Sequence, residues 1–477
     1  MSLHAEQRFN RGGLRRGAHN SSRCGLIVAS AMGAAWFSVG LYHSLPQPLV
    51  YDAEGYVALA RVIVRGKERA QTTPQMLNTL FDLRLMGYPL FLAPWVKLGL
   101  DGRSLRIAVA LVQFVLHVGS IVMLGRALRG LTTARTASRI TISMLMVPFP
   151  YFLCTEVLTD SLSISLAVIC FSALVAAAAT PKCGRAIGWI LVAFAASGAG
   201  FFVRVDAYYV LGSSFAGAVF VVLRHFGTAL RGSRRLLLAT GAALITGSVL
   251  VVSVLLFRVP QYLILRSYDG RGALSPPVSL ASFEVGYGVS TLKYATGIDG
   301  VGPAIPYRNP LLTRQAIIEY GTQPSAWYRQ EPLRAALSVP LRWFALVDQD
   351  MPFVYNSTVP DHPSIVLFLI NHCLVALGLL GAITVLNSLL RRHVSRGAVP
   401  ACIIVGALVW LGTHALPHVE TRYGLPALLA LAGCAGYLLD PERVRRQWRR
   451  LAGLLVIYLP TAWMLSSWIA SYRRLAI

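Results

Sequence analysis

Long apolar stretches recur from one end of the chain to the other, and most approach the ~20 residues that a helix needs to cross a bilayer. Their approximate positions are 24–45, 105–125, 139–154, 157–179, 186–203, 207–223, 236–257, 364–390, 398–415, 422–439 and 451–471. Only 13% of the 477 residues are charged, whereas soluble domains average roughly 25%. The 55% hydrophobic content excludes a disordered chain. The sequence therefore predicts an all-α polytopic membrane protein with about 11 transmembrane helices.

Basic residues are concentrated in alternate connecting segments. The segments predicted inside are 1–23, 126–139, 180–185, 224–235, 391–397 and 440–450, and they carry 23 of the 44 basic residues but 3 of the 20 acidic ones. The positive-inside rule then places the amino terminus inside and the carboxyl terminus outside. The net charge of +24 is explained by this topology, so the lipid bilayer is the expected partner and nucleic acid is not.

This topology divides the chain into six parts. They are a basic cytoplasmic tail (1–23), the first span (24–45), a first outer loop (46–104), spans two to seven (105–257), a large outer loop (258–363) and the last four spans (364–477). Amphipathic or aromatic stretches in both outer loops predict helices lying in the membrane interface. These stretches begin near Tyr56, cover 88–98, and cover 324–345 with proline breaks.

The usual motifs of cofactor sites are missing from the sequence. There is no P-loop, no dinucleotide-binding glycine motif, no HExxH and no GxSxG. All seven cysteines fall in or beside apolar spans, without a CxxC pair, which argues against disulfides and a zinc site. No cofactor is therefore predicted with certainty, although a divalent cation could still take part.

Charged residues near the predicted outer ends of the spans are the strongest functional candidates, because an ionisable group at a span is costly. The carboxylates are Asp52, Glu54, Glu156, Asp160, Asp206 and Glu420, and the accompanying arginines are Arg84, Arg204 and Arg422. All are predicted at one depth and on one side. This arrangement predicts a site that binds an anion and removes a proton.

Several motifs resemble, in order, those of the GT-C glycosyltransferases, integral membrane enzymes that take a sugar from a polyprenyl-phosphate carrier. The first outer loop reads YDAEGYVALAR at 51–61 and RLMGYPLFLA at 84–93. Later motifs are TEVLTD at 155–160, VRVD at 203–206 and ETRYGLP at 420–426. The set covers most of the chain, and it is most similar to the mannosyltransferase and aminoarabinose transferase group.

The resemblance implies a GT-C-like fold, with Asp52 as catalytic general base and inversion at the sugar carbon. It implies substrate contacts for Glu54, Tyr56, Arg84, Tyr88, Glu156, Asp160, Arg204, Glu420, Arg422 and Tyr423. The expected partners are a polyprenyl-phosphate-linked sugar donor and a lipid, polysaccharide or protein acceptor. The expected location is the outer face of a bacterial inner membrane. Guanidinium groups suit a phosphate, and a positioned carboxylate suits proton removal.

Structural roles compete with these functional ones. Asp52 could cap a helix, and Glu54 could be an ordinary first-turn acid. Glu156 and Asp160, four residues apart on one predicted helix face, could bind a divalent cation or pair with arginines. The three arginines could be interface anchors. His414 and His418 lie four residues apart and are followed by Glu420. They could bind a metal, but the set lacks a firm third ligand, so no metal site is predicted.

Three other functions compete with a GT-C transferase. A transporter or lipid flippase would use the carboxylates for coupling, but such sites lie near the membrane midplane. A non-enzymatic assembly factor would not need acids and arginines at one depth. A ligase using a diphosphate-linked glycan donor would share most of the predicted chemistry.

Overall fold

The computed structural model describes residues 3–49, 52–66, 85–204, 207–226, 240–241, 243–256, 259, 263, 291–294, 306–312, 316, 324–349, 365–391 and 421–472. The helices of this part are α1 (Leu3–Ser44), α2 (Asp52–Arg65), α3 (Gly87–Lys97), α4 (Gly102–Leu128), α5 (Ala134–Leu145), α6 (Phe149–Cys154), α7 (Thr159–Ala179), α8 (Cys183–Val203), α9 (Tyr208–Phe226), α10 (Ala243–Leu256), α11 (Pro324–Gln330), α12 (Pro332–Val347), α13 (Ile365–Arg391), α14 (Leu425–Leu438) and α15 (Pro441–Ser471). A 3₁₀ turn, Thr421–Gly424, precedes α14.

The prediction of an all-α membrane protein is confirmed, with one small addition. Strands β1 (Thr291–Tyr294) and β2 (Pro306–Arg308) pair antiparallel in the large outer loop. Within the described ranges, six helices are long and apolar enough to cross a membrane: Cys24–Ser44, Gly102–Leu128, Thr159–Ala179, Cys183–Val203, Ile365–Asn387 and Pro441–Ser471. The predicted count of 11 is therefore not confirmed.

The five remaining predicted spans differ from these six. Helix α9 and helix α10 contain shorter apolar stretches, Val210–Leu223 and Ala243–Leu256. Helix α14 has 14 residues, and the predicted span 398–415 lies outside the described residues. The predicted span 139–154 is wrong as one helix, because α5 ends at Leu145 and α6 begins at Phe149. Pro148 and Pro150 explain this break, since proline has no amide hydrogen to donate within a helix.

The bundle core is built from apolar and small residues of several helices. Helix α7 packs against α4 and α8, α13 packs against α14, and α5 packs against α1 and α14. The buried core includes Ile121, Ala137, Ala173, Ala193 and Leu428. Small side chains let helix backbones approach closely, which favours packing inside a bilayer.

The first outer loop docks on the end of this bundle. Helices α2 and α3 pack on each other and, with the start of α4, form a second buried cluster around Tyr56, Tyr88 and Leu105. Most of α2 is buried against the rest of the chain, and its place in the membrane interface stays a prediction. Arg61 of α2 donates to Asp101, before α4, at 2.6 Å.

Candidate functional site

Four charged side chains from distant parts of the sequence meet where several helices end. Arg422 lies between two carboxylates: its Nη2 is 3.4 Å from Oδ2 of Asp52, and its Nη1 is 3.3 Å from Oδ2 of Asp160. Arg204 donates from Nη1 to Oδ1 of Asp160 at 2.8 Å and to the hydroxyl of Thr159 at 3.2 Å. We call Asp52, Asp160, Arg204 and Arg422 the charge cluster.

Each member of the charge cluster is held at a helix terminus. Asp52 and Asp160 lie in the first turns of α2 and α7, where the helix dipole favours a carboxylate. Arg204 directly follows α8, and Arg422 lies in the 3₁₀ turn before α14. The backbone of rigid elements therefore fixes where these four charges can meet.

Two glycines allow the close packing on which this arrangement depends. A Cβ at Gly424 would overlap the carbonyl oxygen of Leu346, so the turn that carries Arg422 packs directly on the end of α12. A Cβ at Gly87 would lie 2.6 Å from the carbonyl oxygen of Phe202. This contact brings α3 against the end of α8, two residues before Arg204.

Tyr423 lies beside both arginines, and Asp52 is the most accessible carboxylate of the cluster. The Cζ atoms of Arg204 and Arg422 are 5.0 Å and 5.5 Å from the Tyr423 ring centroid, within cation–π range. The side chain of Asp52 is 20% exposed, compared with 5% for Asp160. A small molecule could therefore reach Asp52 more readily than Asp160.

A second buried network adjoins the charge cluster. Glu156 accepts a hydrogen bond from Ser44 at 2.5 Å, and its other oxygen is 3.9 Å from Nη2 of Arg106. Burial raises the pKa of Glu156 to about 7, while Arg106 and the Ser44 hydroxyl oppose that rise. Gln113 donates to the carbonyl oxygens of Cys154 and Glu156 at 3.1 Å and 2.8 Å. These contacts hold the chain just before Asp160.

Glu156 and Asp160 do not lie on one helix face, so that prediction is wrong. Helix α7 begins at Thr159, which leaves Glu156 in the preceding loop. Each carboxylate faces different arginines, Arg106 for Glu156 and the two cluster arginines for Asp160. Among the residues that the structure describes, no group of three potential ligands could hold a metal ion.

The other predicted site residues are not members of the charge cluster. Glu54 is exposed. Tyr56 and Tyr88 are buried, with ring centroids 5.1 Å apart, and the Tyr88 hydroxyl donates to Gln113 at 3.3 Å. Both tyrosines contribute to the packing of α2 on α3, and their substrate contacts stay predictions. Predictions for Arg84, Asp206 and Glu420, and for His414 and His418, fall outside the described residues.

Arg106 and Gln113 were not among the residues predicted for the site. Both fall within the predicted second span, and both are buried. An arginine inside a predicted span was a usable signal, because such a charge is expensive and faces protein or a polar cavity. The partners of Arg106 could not be read from the sequence, since they lie 50 residues later and 58–59 residues earlier.

Comparisons with known proteins give similarities at low identity. No protein-family model and no curated protein matches the chain. The oligosaccharyltransferase AglB from Archaeoglobus fulgidus, solved with an inhibitory peptide and a dolichol-phosphate, shows a TM-score of 0.45 and 12% identity. The match covers 95% of this chain and 56% of AglB, so the chain spans little more than half of that protein.

A second solved protein, ArnT from Cupriavidus metallidurans bound to undecaprenyl phosphate, shows a TM-score of 0.37 and 18% identity. That match covers 88% of this chain and 78% of ArnT. At TM-scores below 0.5 these similarities do not assign a function. The function of this chain is therefore inferred from its own side chains.

Proposed function

We propose that the chain is a membrane glycosyltransferase that moves a sugar from a polyprenyl-phosphate carrier to an acceptor hydroxyl. The observation that carries this proposal is the position of Arg422 between Asp52 and Asp160, with Arg204 on the far side of Asp160. A partly accessible carboxylate next to paired arginines suits a reaction that removes a proton and releases a phosphate. The dolichol and undecaprenyl phosphates of AglB and ArnT are carriers of the proposed class.

Asp52 acts as the general base in this proposal. Its carboxylate takes the proton of the acceptor hydroxyl as the hydroxyl oxygen attacks the anomeric carbon. The bond between that carbon and the carrier phosphate breaks, and the phosphate leaves with the electron pair. A single displacement of this kind inverts the configuration at the sugar carbon. Asp52 suits the role because it is the most accessible carboxylate of the charge cluster.

Arg422, helped by Arg204, binds the phosphate. The contacts of Arg422 with the two carboxylates, 3.3 and 3.4 Å, are longer than the 2.7–2.9 Å typical of charge-assisted bonds. A phosphate can therefore replace Asp52 as a partner of Arg422 at modest cost. This exchange frees the Asp52 carboxylate to accept a proton. Tyr423, beside both guanidinium groups, limits the directions in which they can move.

We place the reaction at the outer face of a bacterial inner membrane. The support is the uneven charge of the connecting segments, with 23 basic and 3 acidic residues on the predicted inner side. The acceptor is a lipid, polysaccharide or protein that reaches the outer end of the bundle. No nucleotide-binding fold is needed, because the carrier phosphate itself activates the sugar.

The test uses a deletion strain complemented with wild-type or Asp52→Asn protein. Lipid mass spectrometry of the strain should show an accumulated polyprenyl-phosphate sugar, which can be purified and used as donor in liposomes. Asp52→Asn keeps the size and capping ability of the residue but cannot accept a proton. Loss of a general base reduces the rate by roughly 10²–10⁴, whereas loss of a cap costs about 1 kcal/mol.

The control is Asp101→Asn, a helix-capping carboxylate of the first outer loop that is 65% exposed. We expect this variant to transfer sugar at the wild-type rate. A folded Asp52→Asn variant with near-normal turnover would eliminate Asp52 as the base. A deletion strain without any accumulated carrier-linked sugar would reject the proposed reaction itself.

A further inference from the structure

The chain just after α1, at Gln47 and Pro48, is held by partly buried hydrogen bonds from Arg106. Arg106 donates from Nη1 to the carbonyl oxygen of Gln47 at 2.9 Å and from Nη2 to that of Pro48 at 3.1 Å. The planar guanidinium presents its donors in a fixed fork, so it can hold two successive carbonyls in one orientation. Four residues after Pro48, α2 begins with Asp52.

The same network holds the loop that leads into Asp160. Glu156 accepts from Ser44, the last residue of α1, and Ser44 also lies 3.0 Å from the hydroxyl of Thr155. The second oxygen of Glu156 faces Nη2 of Arg106 at 3.9 Å. Arg106 and Glu156 thus connect the segment before Asp52 with the loop before Asp160.

We infer that Arg106 and Glu156 are positioning residues that set the separation of Asp52 and Asp160 around Arg422. This inference rests on the function proposed above. The two residues act through the backbone on either side of the charge cluster, and this role requires no contact of either residue with the substrate. Arg106 acts through its planar guanidinium, which binds two successive carbonyls. Glu156 acts through its carboxylate, which contacts Ser44 and faces Arg106.

Stability alone does not explain why Arg106 and Glu156 are paired in the interior of the protein. The side chains of Arg106 and Glu156 are 4% and 7% exposed, and the loss of hydration can outweigh the attraction between two such buried ions. A well-packed hydrophobic pair of similar volume is often as stable or more stable. Geometry is the better explanation, because a displacement of about 1 Å near reacting groups can reduce a rate roughly 100-fold.

The experiment measures kcat, the donor KM and thermal melting for Arg106→Met, Glu156→Gln and Arg106→Lys. The donor is the polyprenyl-phosphate sugar purified from the deletion strain, and undecaprenyl phosphate serves as the ligand for separate binding measurements. Arg106→Met removes the charge and the donor fork but keeps an unbranched apolar side chain over the first part of the arginine. Glu156→Gln keeps the shape of the side chain and an oxygen that can accept from Ser44.

We expect kcat to fall roughly 10- to 100-fold in Arg106→Met and less in Glu156→Gln. The donor KM and the affinity for undecaprenyl phosphate should stay within about twofold, because Arg204 and Arg422 are unchanged. Arg106→Lys should recover only part of the loss, since an ammonium group lacks the planar fork. The control, Arg103→Ala, changes an exposed arginine one turn earlier in α4 and should keep the wild-type kcat.

Two results would overturn the inference. One is a wild-type kcat in Arg106→Met or in Glu156→Gln. The other is a loss of melting temperature in both variants with unchanged kcat per folded molecule, since that pattern describes a purely structural pair. If Asp52→Asn is inactive while the Arg106 variants are normal, the positioning role is rejected and the proposed reaction stands. If Asp52→Asn is also active, Asp52 is eliminated as the base; the proposed reaction itself is rejected if the deletion strain accumulates no carrier-linked sugar.

Discussion

The two ends of the bundle both carry arginines paired with carboxylates, but they treat those charges differently. At the predicted outer end, the side chains of Asp160 and Arg422 are 5% exposed, and several helix termini converge on them. At the predicted inner end, Arg446 and Glu442 form a pair whose side chains are 80% and 84% exposed. Charges at both ends are paired, so pairing does not identify a site. A candidate site differs from charges that only orient the protein in the membrane because its charged side chains are buried and lie where several helix termini meet.

The inner charges have sufficient explanations in the chain's own structure. Asp440 caps α15 through the amide of Glu442 and pairs with Arg139. The remaining arginines there account for the positive charge of the predicted inner side. The buried charges of the outer end need a further reason, because desolvation makes such groups expensive. This difference favours the predicted outer end as the place of the proposed reaction.

A third polar network shows that burial alone does not indicate a reaction. Asp348, which follows α12, accepts from His372 of α13 at 3.1 Å and from Ser466 of α15 at 3.0 Å. The other ring nitrogen of His372 is 2.9 Å from the hydroxyl of Tyr458. Asp348 and His372 are almost completely buried. This network joins the large outer loop to two membrane helices and has no accessible carboxylate like Asp52.

The largest effect on stability should come from Asp348→Ala. The change leaves the buried donors of His372 and Ser466 without their acceptor, and each such donor costs about 1–3 kcal/mol. We therefore expect the free energy of unfolding to fall by roughly 2–5 kcal/mol. The measurement is unfolding of the purified protein in mixed detergent micelles. Donor KM should remain near wild type in the molecules that stay folded. A stable Asp348→Ala protein with a raised donor KM would instead place Asp348 in the reaction.

The sequence predicted the members of the charge cluster better than their pairing. Asp52, Asp160, Arg204 and Arg422 each stand next to a predicted span end, and membrane topology brings such residues to one depth. The partners depend on helix start points that hydropathy cannot resolve. Because α7 begins at Thr159, Glu156 faces Arg106 and Asp160 faces Arg204. The break between α5 and α6 was missed because hydropathy averages over Pro148.

The next effect in size concerns Arg422 and the binding of phosphate. Arg422→Ala should raise the donor KM at least tenfold, because charge-assisted hydrogen bonds contribute roughly 1.5–3 kcal/mol each. Arg422→Lys should recover binding only in part, since the ammonium group cannot bind a phosphate in a bidentate way. The measurement is the donor KM in liposomes, together with direct binding of undecaprenyl phosphate.

The control for Arg422 comes from the other end of the bundle. Arg446→Ala removes an arginine whose side chain is 80% exposed and should leave the donor KM unchanged. Equal effects of the two substitutions would mean that arginines bind the carrier by charge alone. An unchanged donor KM in Arg422→Ala would return Arg422 to the role of a structural partner of Asp52 and Asp160.

The smallest effect should come from the inner pair, Arg139 and Asp440, whose side chains are 22% and 24% exposed. Partly exposed pairs contribute about 0.2–1 kcal/mol in double-mutant cycles, since water and salt screen them. We expect a coupling free energy of this size between Arg139→Ala and Asp440→Asn. It is obtained from the unfolding free energies of the two single variants and the double variant in detergent. The coupling should shrink at high salt, and sugar transfer should be unaffected because the pair lies at the predicted inner end. A coupling above about 2 kcal/mol, or a loss of transfer in Arg139→Ala, would show that the inner end also contributes more than orientation.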